Sequence, residues 1–188
     1  LVYLDVLQLS TYFIFQLSYA IILVFNSKGN TMTKDNFTKK LAAMTMPHFE
    51  DLPNLDLYMD QVIDEVNQYL APITHTEITK SMINSYVKKG LVDRPTKKRY
   101  SRVHLAKILV VSLLKPILSL DTIDQAMKIA LKLDSAPKAY DQFIDLFNQE
   151  LTDVDADHLS AKQYQSMAIK SLLYKLVVDD LIQTSKQA

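Results

Sequence analysis

Basic side chains that could bind phosphate are concentrated in one short stretch of the sequence. Nine lysines and arginines lie between Thr79 and Lys107, and Asp93 is the only acidic residue among them. The whole chain is neutral, with 21 basic and 21 acidic residues, and a later segment between Asp141 and Asp157 is acidic. A neutral protein with one compact basic region has the electrostatic pattern of a phosphate-backbone binder. The alternative is a solvated basic face that only balances the acidic segment.

The candidate contact residues combine cations with uncharged hydrogen-bonding side chains. Asparagine can pair bidentately with adenine, lysine reaches guanine or phosphate, and serine and threonine contact either. Basic residues on a turn would reach the neighbouring backbone, which adds affinity more than sequence choice. The predicted DNA-binding residues are Thr79, Lys80, Asn84, Ser85, Lys88, Lys89, Arg94, Lys97, Lys98, Arg99 and Arg102.

No pattern in the sequence is typical of a catalytic or metal site. The absence of cysteine excludes disulfides, thiolate metal sites and cysteine nucleophiles. The four histidines are scattered without ligand spacing, and we expect His104 to be packed or to cap a helix. Two glycines cannot form a glycine-rich phosphate loop. We therefore expect neither an enzyme nor a bound cofactor or metal.

A short helix and a turn are predicted to position the basic residues. The helix spans about 79–89, and its apolar face consists of Met82, Ile83, Tyr86 and Val87. Gly90 follows directly, where a residue in the left-handed conformation commonly ends a helix. Residues 91–100 are few and interrupted by proline, so we predict a compact turn or small hairpin around Pro95-Thr96. A recognition helix followed by a wing has this order of elements.

The remaining pattern predicts more helices, so the expected fold class is all-α. Apolar spacing of three and four predicts a helix over 55–70, and the nearly continuous apolar run over 102–115 predicts a buried central helix. Further helices are predicted over 119–133, from Pro137 onward, and over 158–183. The expected organisation is a lead-in at 32–53 without helical period, a core domain at 54–133 and a helical extension at 134–188.

The stretch from Phe49 to Met127 resembles known bacterial proteins. A Gly-Leu step, a Tyr-Ser pair and a Leu-Ser-Leu-acid helix start are similar to marks of MerR-like winged helix-turn-helix regulators. These marks are Gly90-Leu91, Tyr100-Ser101 and Leu118-Ser119-Leu120-Asp121. The closer resemblance is to a bacterial family of uncharacterised proteins, domain-of-unknown-function family 1836. Its pattern is matched by Leu57-Tyr58-Met59-Asp60-Gln61-Val62, Met82-Ile83-Asn84, Tyr86-Val87-Lys88, Pro95, Lys97-Lys98, Tyr100-Ser101 and Leu114-Lys115.

The resemblance implies a winged helix-turn-helix core and a role in transcription regulation. MerR recognition helices usually carry an Arg-Tyr-Tyr run, whereas this chain has Asn84-Ser85-Tyr86-Val87, and its wing is shorter. These departures leave the base contacts open. We expect a cytoplasmic, sequence-specific DNA-binding transcriptional regulator. The alternative is a helical protein-interaction module in which the basic turn docks an acidic partner.

A homodimer is the expected state, because one recognition helix reads only a few base pairs. The last helix is the candidate dimerisation element, although it lacks a sustained heptad and could instead be an intramolecular strut. An aromatic and methionine stripe is most simply core packing, and an effector pocket for a small molecule is the alternative. The stripe consists of Met127, Tyr140, Phe143 and Phe147.

The first 31 residues form a separate problem. Val6 to Phe25 contains no charged residue, and its length is about that of a membrane-spanning helix, roughly 20 residues. Met32 opens a polar stretch, and the codons for Lys28-Gly29 would place purine-rich sequence where a bacterial ribosome-binding site lies. We therefore expect residues 1–31 to be translated leader sequence. The alternative is a membrane anchor, which would make the protein a membrane-tethered regulator.

Overall fold

The computed structural model describes Lys39 and residues 41–74, 76–154 and 160–185, whose regular structure is almost entirely helical. The α-helices in these residues are α1 (Met59–Thr74), α2 (Lys80–Lys88), α3 (Arg102–Leu114), α4 (Leu120–Leu133), α5 (Ala136–Asp153) and α6 (Ala161–Thr184). A 3-10 helix, Phe49–Asp51, precedes them. Strand pairing in the described chain is limited to two isolated bridges, Leu57 with Tyr100 and Thr96 with Arg99. The all-α prediction is confirmed.

The predicted leader or anchor at 1–31 lies outside the described residues. Within the part of the chain that the structure describes, no helix combines the length and the apolar character needed to cross a membrane.

Helix α3 is the centre of the domain. Leu105, Ile108, Leu109 and Val111 are all at most 1% exposed, and α3 contacts α1, α4 and α5. A helix that is apolar on every side is stable only when other elements pack on each of its faces, so it lies at the centre of the domain. Burying each such side chain stabilises the fold by about 1.5–3 kcal/mol.

Residues 46–52, called the strap below, cross the surface of α5. Met46, Phe49 and Leu52 are buried. The backbone N–H of Met46 donates to Asn148 Oδ1 at 2.7 Å, and that of Phe49 donates to Asp141 Oδ1 at 2.7 Å. An irregular segment lacks ladder partners, so these side chains satisfy its backbone polar groups. The segment predicted as a lead-in without helical period therefore contributes to the core.

One hydrophobic core runs from the strap into α5. Its first member is Met46 and its last is Ile144, so the predicted domain boundaries at 54 and 133 both fall inside it. Helix α6 differs, since it packs mainly on α4 and leaves most of its apolar residues exposed. The packed domain therefore includes the strap and α1 to α5, with α6 attached to it.

Candidate nucleic-acid interface

Helix α2 is held to the domain by one face and is open to solvent on the other. The Thr79 hydroxyl accepts from the Met82 N–H at 3.3 Å and caps the helix, while Ile83 and Tyr86 are fully buried. Side chains four residues apart share one face of a helix. The exposed face therefore carries a strip of side chains, with Ser85 half-buried beside it: Lys80, Asn84 and Lys88.

Ser81 is exposed next to this strip, and the prediction omitted it. Its spacing of three to Asn84 and of seven to Lys88 was the available signal, because such residues share the outer face. Thr79, by contrast, has its hydroxyl oriented into the helix terminus, where it accepts the capping hydrogen bond.

The predicted glycine stop of α2 is present. Gly90 has φ +82°, and the next N–H, that of Leu91, donates back to the Tyr86 carbonyl at 3.0 Å. Left-handed backbone favours glycine, so this reversal is set by local sequence. Leu91 and Val92 are buried directly afterwards, which fixes the path of the chain towards the basic turn.

The basic turn, residues 96–99, has two lysines at its tip. Lys97 and Lys98 have φ of 50° and 66°, and Thr96 is bridged to Arg99. The turn is therefore centred two residues later than predicted, because Pro95 has its φ locked near −65° and cannot occupy such a position. Left-handed backbone costs an L-residue with a side chain roughly 1–2 kcal/mol. Positive φ at both central residues, between two bridged residues, is the geometry of a tight hairpin turn, in which asparagine and glycine are the usual residues.

Arg99 holds the basic turn against the start of α1. Its Nη2 donates to the Tyr58 hydroxyl at 2.9 Å, and its guanidinium carbon lies 4.4 Å from the centre of the Tyr58 ring. At the next residue along the chain, Tyr100 exchanges two backbone hydrogen bonds of 2.9 and 2.8 Å with Leu57. The described contacts thus join the turn to α1, and Arg99 orients it.

Arg102 was predicted to contact DNA, but the structure withdraws it from the surface. Its guanidinium forms an ion pair with Glu50 and lies 5.4 Å from the centre of the Phe49 ring. Only 14% of its side chain is exposed. Arg102 therefore fastens the strap to α3 and is not available to a phosphate.

Two further lysines of the basic region are paired with acidic residues. Lys89 Nζ lies 3.3 Å from Asp121 Oδ1, and Lys107 Nζ lies 2.6 Å from Asp93 Oδ2. The hydrogen bond from Lys107 lowers the pKa of the Asp93 carboxyl. Lys89 must therefore separate from Asp121 before it can contact a phosphate.

Six predicted cations have no acidic partner among the described residues. One of them, Arg99, contacts Tyr58. The other five are exposed and form neither an ion pair nor a ring contact: Lys80, Lys88, Arg94, Lys97 and Lys98. They lie on the outer face of α2, on the segment that leads into the basic turn, and at the tip of that turn. The structure thus divides the basic region into cations that have a partner within the chain and cations that face solvent without one.

His104 is a capping residue, as the sequence predicts. Its Nδ1 accepts from the Ser101 N–H at 3.0 Å, at the start of α3. In the described part of the chain, no three histidine, aspartate or glutamate side chains come together in a way that could hold a metal ion. The histidine therefore serves the fold.

Tyr86 anchors α2 from inside the domain. It is 0% exposed, and burial raises the pKa of its phenol, an effect that the neighbouring Ser112 hydroxyl partly offsets. Neither hydroxyl has a hydrogen-bond partner among the described groups. The anchor therefore depends on apolar packing of the ring, to which Lys115 adds a cation at 5.8 Å from the ring centre.

The family model described as Domain of unknown function (DUF1836) matches residues 47–143, which is just over half of the 188-residue chain. The match begins in the strap and ends within α5, and it includes α2 and the basic turn. A search of curated proteins found no match, and neither did a search of solved structures. The chain belongs to the DUF1836 family.

Proposed function

We propose that this DUF1836 protein is a sequence-specific DNA-binding transcriptional regulator. In this proposal α1, α2 and the basic turn form a MerR-like winged helix-turn-helix, with α2 as the recognition helix. The observation that carries the proposal is the division of the basic region. Three cations are paired with acidic residues and Arg99 contacts the Tyr58 ring, whereas the outer face of α2 and the tip of the turn carry cations without a described partner.

The two free groups of cations would do different work. The strip on α2 places Asn84 between Lys80 and Lys88, one helical turn from each. A helix laid in the major groove would bring this amide to base edges, where asparagine reads adenine. Lys97 and Lys98 would contact the backbone phosphates, which positions the protein without reading sequence. Arg99 would act as a positioning residue for the turn.

We propose a homodimer, with α6 as its interface. This helix exposes an unusual amount of apolar side chain, including Leu172 at 56%, Tyr174 at 67% and Leu181 at 64%. Exposed apolar patches of this kind mark interaction surfaces. A second copy is the occupant that DNA recognition favours, because two recognition helices on half-sites about one turn of DNA apart give useful specificity.

Sedimentation velocity of the full chain tests the dimer. We expect a dimer for the wild type and a monomer for Leu172→Glu/Leu176→Glu, because both leucines are more than half exposed on α6. Lys170→Glu is the matched control, since it changes charge on the same exposed helix without removing an apolar side chain. A leucine variant that stays dimeric would exclude α6 as the interface.

Fluorescence anisotropy tests the DNA proposal. The full chain is titrated with DNA from upstream of its own gene and with random DNA, across a range of salt concentrations. We expect Lys88→Ala to weaken binding to both DNAs and to lower the salt slope by about 1 for each protomer bound. We expect Asn84→Ala to reduce the preference for the upstream DNA, by about 1–3 kcal/mol at the position it reads. Lys132→Ala, on an exposed position of α4, is the control for charge alone.

The second candidate is a helical protein-interaction module without a DNA role. The exposed apolar surface of α6 fits this candidate as well, because such a surface can bind a different protein instead of a second copy of this chain. Absence of DNA binding at low salt would favour this candidate. We propose a cytoplasmic location as part of the DNA-binding proposal, and this location depends on that proposal.

A further inference from the structure

A small apolar cavity lies between α3, α4 and α5. Its volume is about 240 Å³. Alanines leave the space open, since Ala106, Ala126, Ala130 and Ala139 all line it, and the rings of Tyr140 and Phe143 form part of its wall. A cavity of roughly 150 Å³ holds benzene, so this one accommodates an apolar body of about ten carbon atoms.

One charged side chain belongs to the lining of this cavity. Among the described lining residues, Lys107 is the only one with a formal charge. Its side chain is 17% exposed, and its amine is 2.6 Å from Asp93 Oδ2. Asp93, with 66% of its side chain exposed, is open to solvent on its other side. A lysine in the lining of an otherwise uncharged apolar cavity favours a ligand with an apolar body and one negative charge.

The same lysine connects the cavity with the basic turn. Asp93 lies in the segment between Gly90 and Lys97, and its hydrogen bond to Lys107 ties that segment to α3. A carboxylate seated in the cavity would compete with Asp93 for the amine. Separation of Asp93 from Lys107 would remove one of the contacts that hold the segment that carries Arg94, while Leu91 and Val92 stay buried.

We propose that this cavity binds a small monocarboxylate with an apolar body, and that its carboxylate takes the place of Asp93 on Lys107. Occupation of the cavity loosens the segment before the basic turn and weakens DNA binding. The binding site stands on the cavity itself, while the effect on DNA rests on the proposed function. Because one surface-exposed ion pair is exchanged, the loss of DNA affinity is up to about fivefold.

Isothermal titration calorimetry of the full chain tests the site with probes that differ only in charge. The rigid pair is naphthalene-1-carboxylate and naphthalene-1-carboxamide, and the flexible pair is decanoate and decanamide. We expect at least one carboxylate to bind more tightly than its amide. Lys107→Met keeps the length and apolar character of the lining, and it lowers the carboxylate affinity by roughly ten- to hundredfold. The affinity of this variant for the carboxamide is expected to equal that of the wild type.

Asp93→Asn is the second variant, and its expected effect is opposite. It removes the competing acid and keeps Lys107 and the cavity, so the carboxylate binds more tightly. Thermal unfolding of both variants checks that they are folded. No binding by either carboxylate, equal binding of acid and amide, or an unchanged affinity in Lys107→Met overturns the site.

The DNA titration with saturating carboxylate separates the two proposals. Carboxylate binding with unchanged DNA affinity supports the site and overturns the coupling. A chain that binds the carboxylate and no DNA supports the site and overturns the proposed function.

Discussion

The two lysines at the tip of the basic turn allow backbone strain and DNA contact to be tested in one variant by two different measurements. Lys97 and Lys98 both have positive φ, which asparagine and glycine tolerate better than lysine. The double variant Lys97→Asn/Lys98→Gly therefore relieves the backbone and removes two free cations. We expect the folded protein to become more stable and DNA binding to become weaker.

The expected gain in stability follows from opposing backbone terms. Removing a lysine from left-handed backbone stabilises the folded state by roughly 1–2 kcal/mol per residue. The greater freedom of glycine in the unfolded chain lowers this gain by about 0.5–1 kcal/mol. Asparagine relieves only part of the strain at its position. We expect a net increase of about 1 kcal/mol in the free energy of unfolding, or about 2–4 °C in Tm for a chain of this size.

The expected loss of binding follows from counterion release. Two phosphate contacts fewer per protomer lower the slope of log K against log salt by about 1.8 for each protomer bound, or about 3.6 for the proposed dimer. Differential scanning calorimetry measures the first effect, and anisotropy titrations at several salt concentrations measure the second. Lys97→Arg/Lys98→Arg is the matched control, because it keeps both the charges and the strain, so Tm and slope should stay near the wild-type values.

Each half of this prediction can fail independently. A lower Tm in the Asn/Gly variant would refute the argument from backbone strain. A higher Tm with an unchanged salt slope would show that Lys97 and Lys98 contact no phosphate, which would remove the turn from the proposed DNA surface.

Three further predictions concern the fold. Leu109→Ala should lower the free energy of unfolding by about 2–5 kcal/mol in urea denaturation, since Leu109 is 0% exposed in α3; a loss below 1 kcal/mol would contradict its central position. Gly90→Ala should cost about 1–2 kcal/mol through left-handed backbone alone, because an added Cβ meets nothing within 4 Å; a much larger loss would mean a clash. The Asp145 hydrogen bond raises the pKa of His48 above its usual 6.5, so its stabilising contribution is complete below pH 6.5 and is lost as pH rises through the folded pKa. The Tm advantage of wild type over His48→Gln should therefore narrow between pH 6 and pH 9, and a constant difference would refute the pairing.

Much of the site could be predicted from the sequence because its signals are local. The apolar spacing and the Gly90 stop define α2 within about a dozen residues, and the hydrogen bonds that form them join residues three to five positions apart. The Thr79 cap is equally local, although this residue was predicted to contact DNA. The same holds for the capping of α3 by Ser101 and His104. Caps and periodicity depend on neighbours in the chain, so a sequence displays them directly.

The limits of the prediction begin where partners are distant in the chain. Arg102 looked like a surface cation in sequence, but Glu50, 52 residues away, neutralises it. The strap showed no helical period, yet Asn148 and Asp141 bind its backbone from 102 and 92 residues away. A pattern in sequence records which side chains could be exposed, while pairing depends on which segments meet.

The sequence by itself therefore determined an all-α chain, its central apolar helix, and a basic helix that ends at a glycine. The tertiary structure decided which basic residues remain free, which segments complete the core, and where the turn places its two lysines. The physical reason is range. Helix formation and capping are settled over a few residues, whereas burial and ion pairing depend on contacts between segments that only the packed fold brings together.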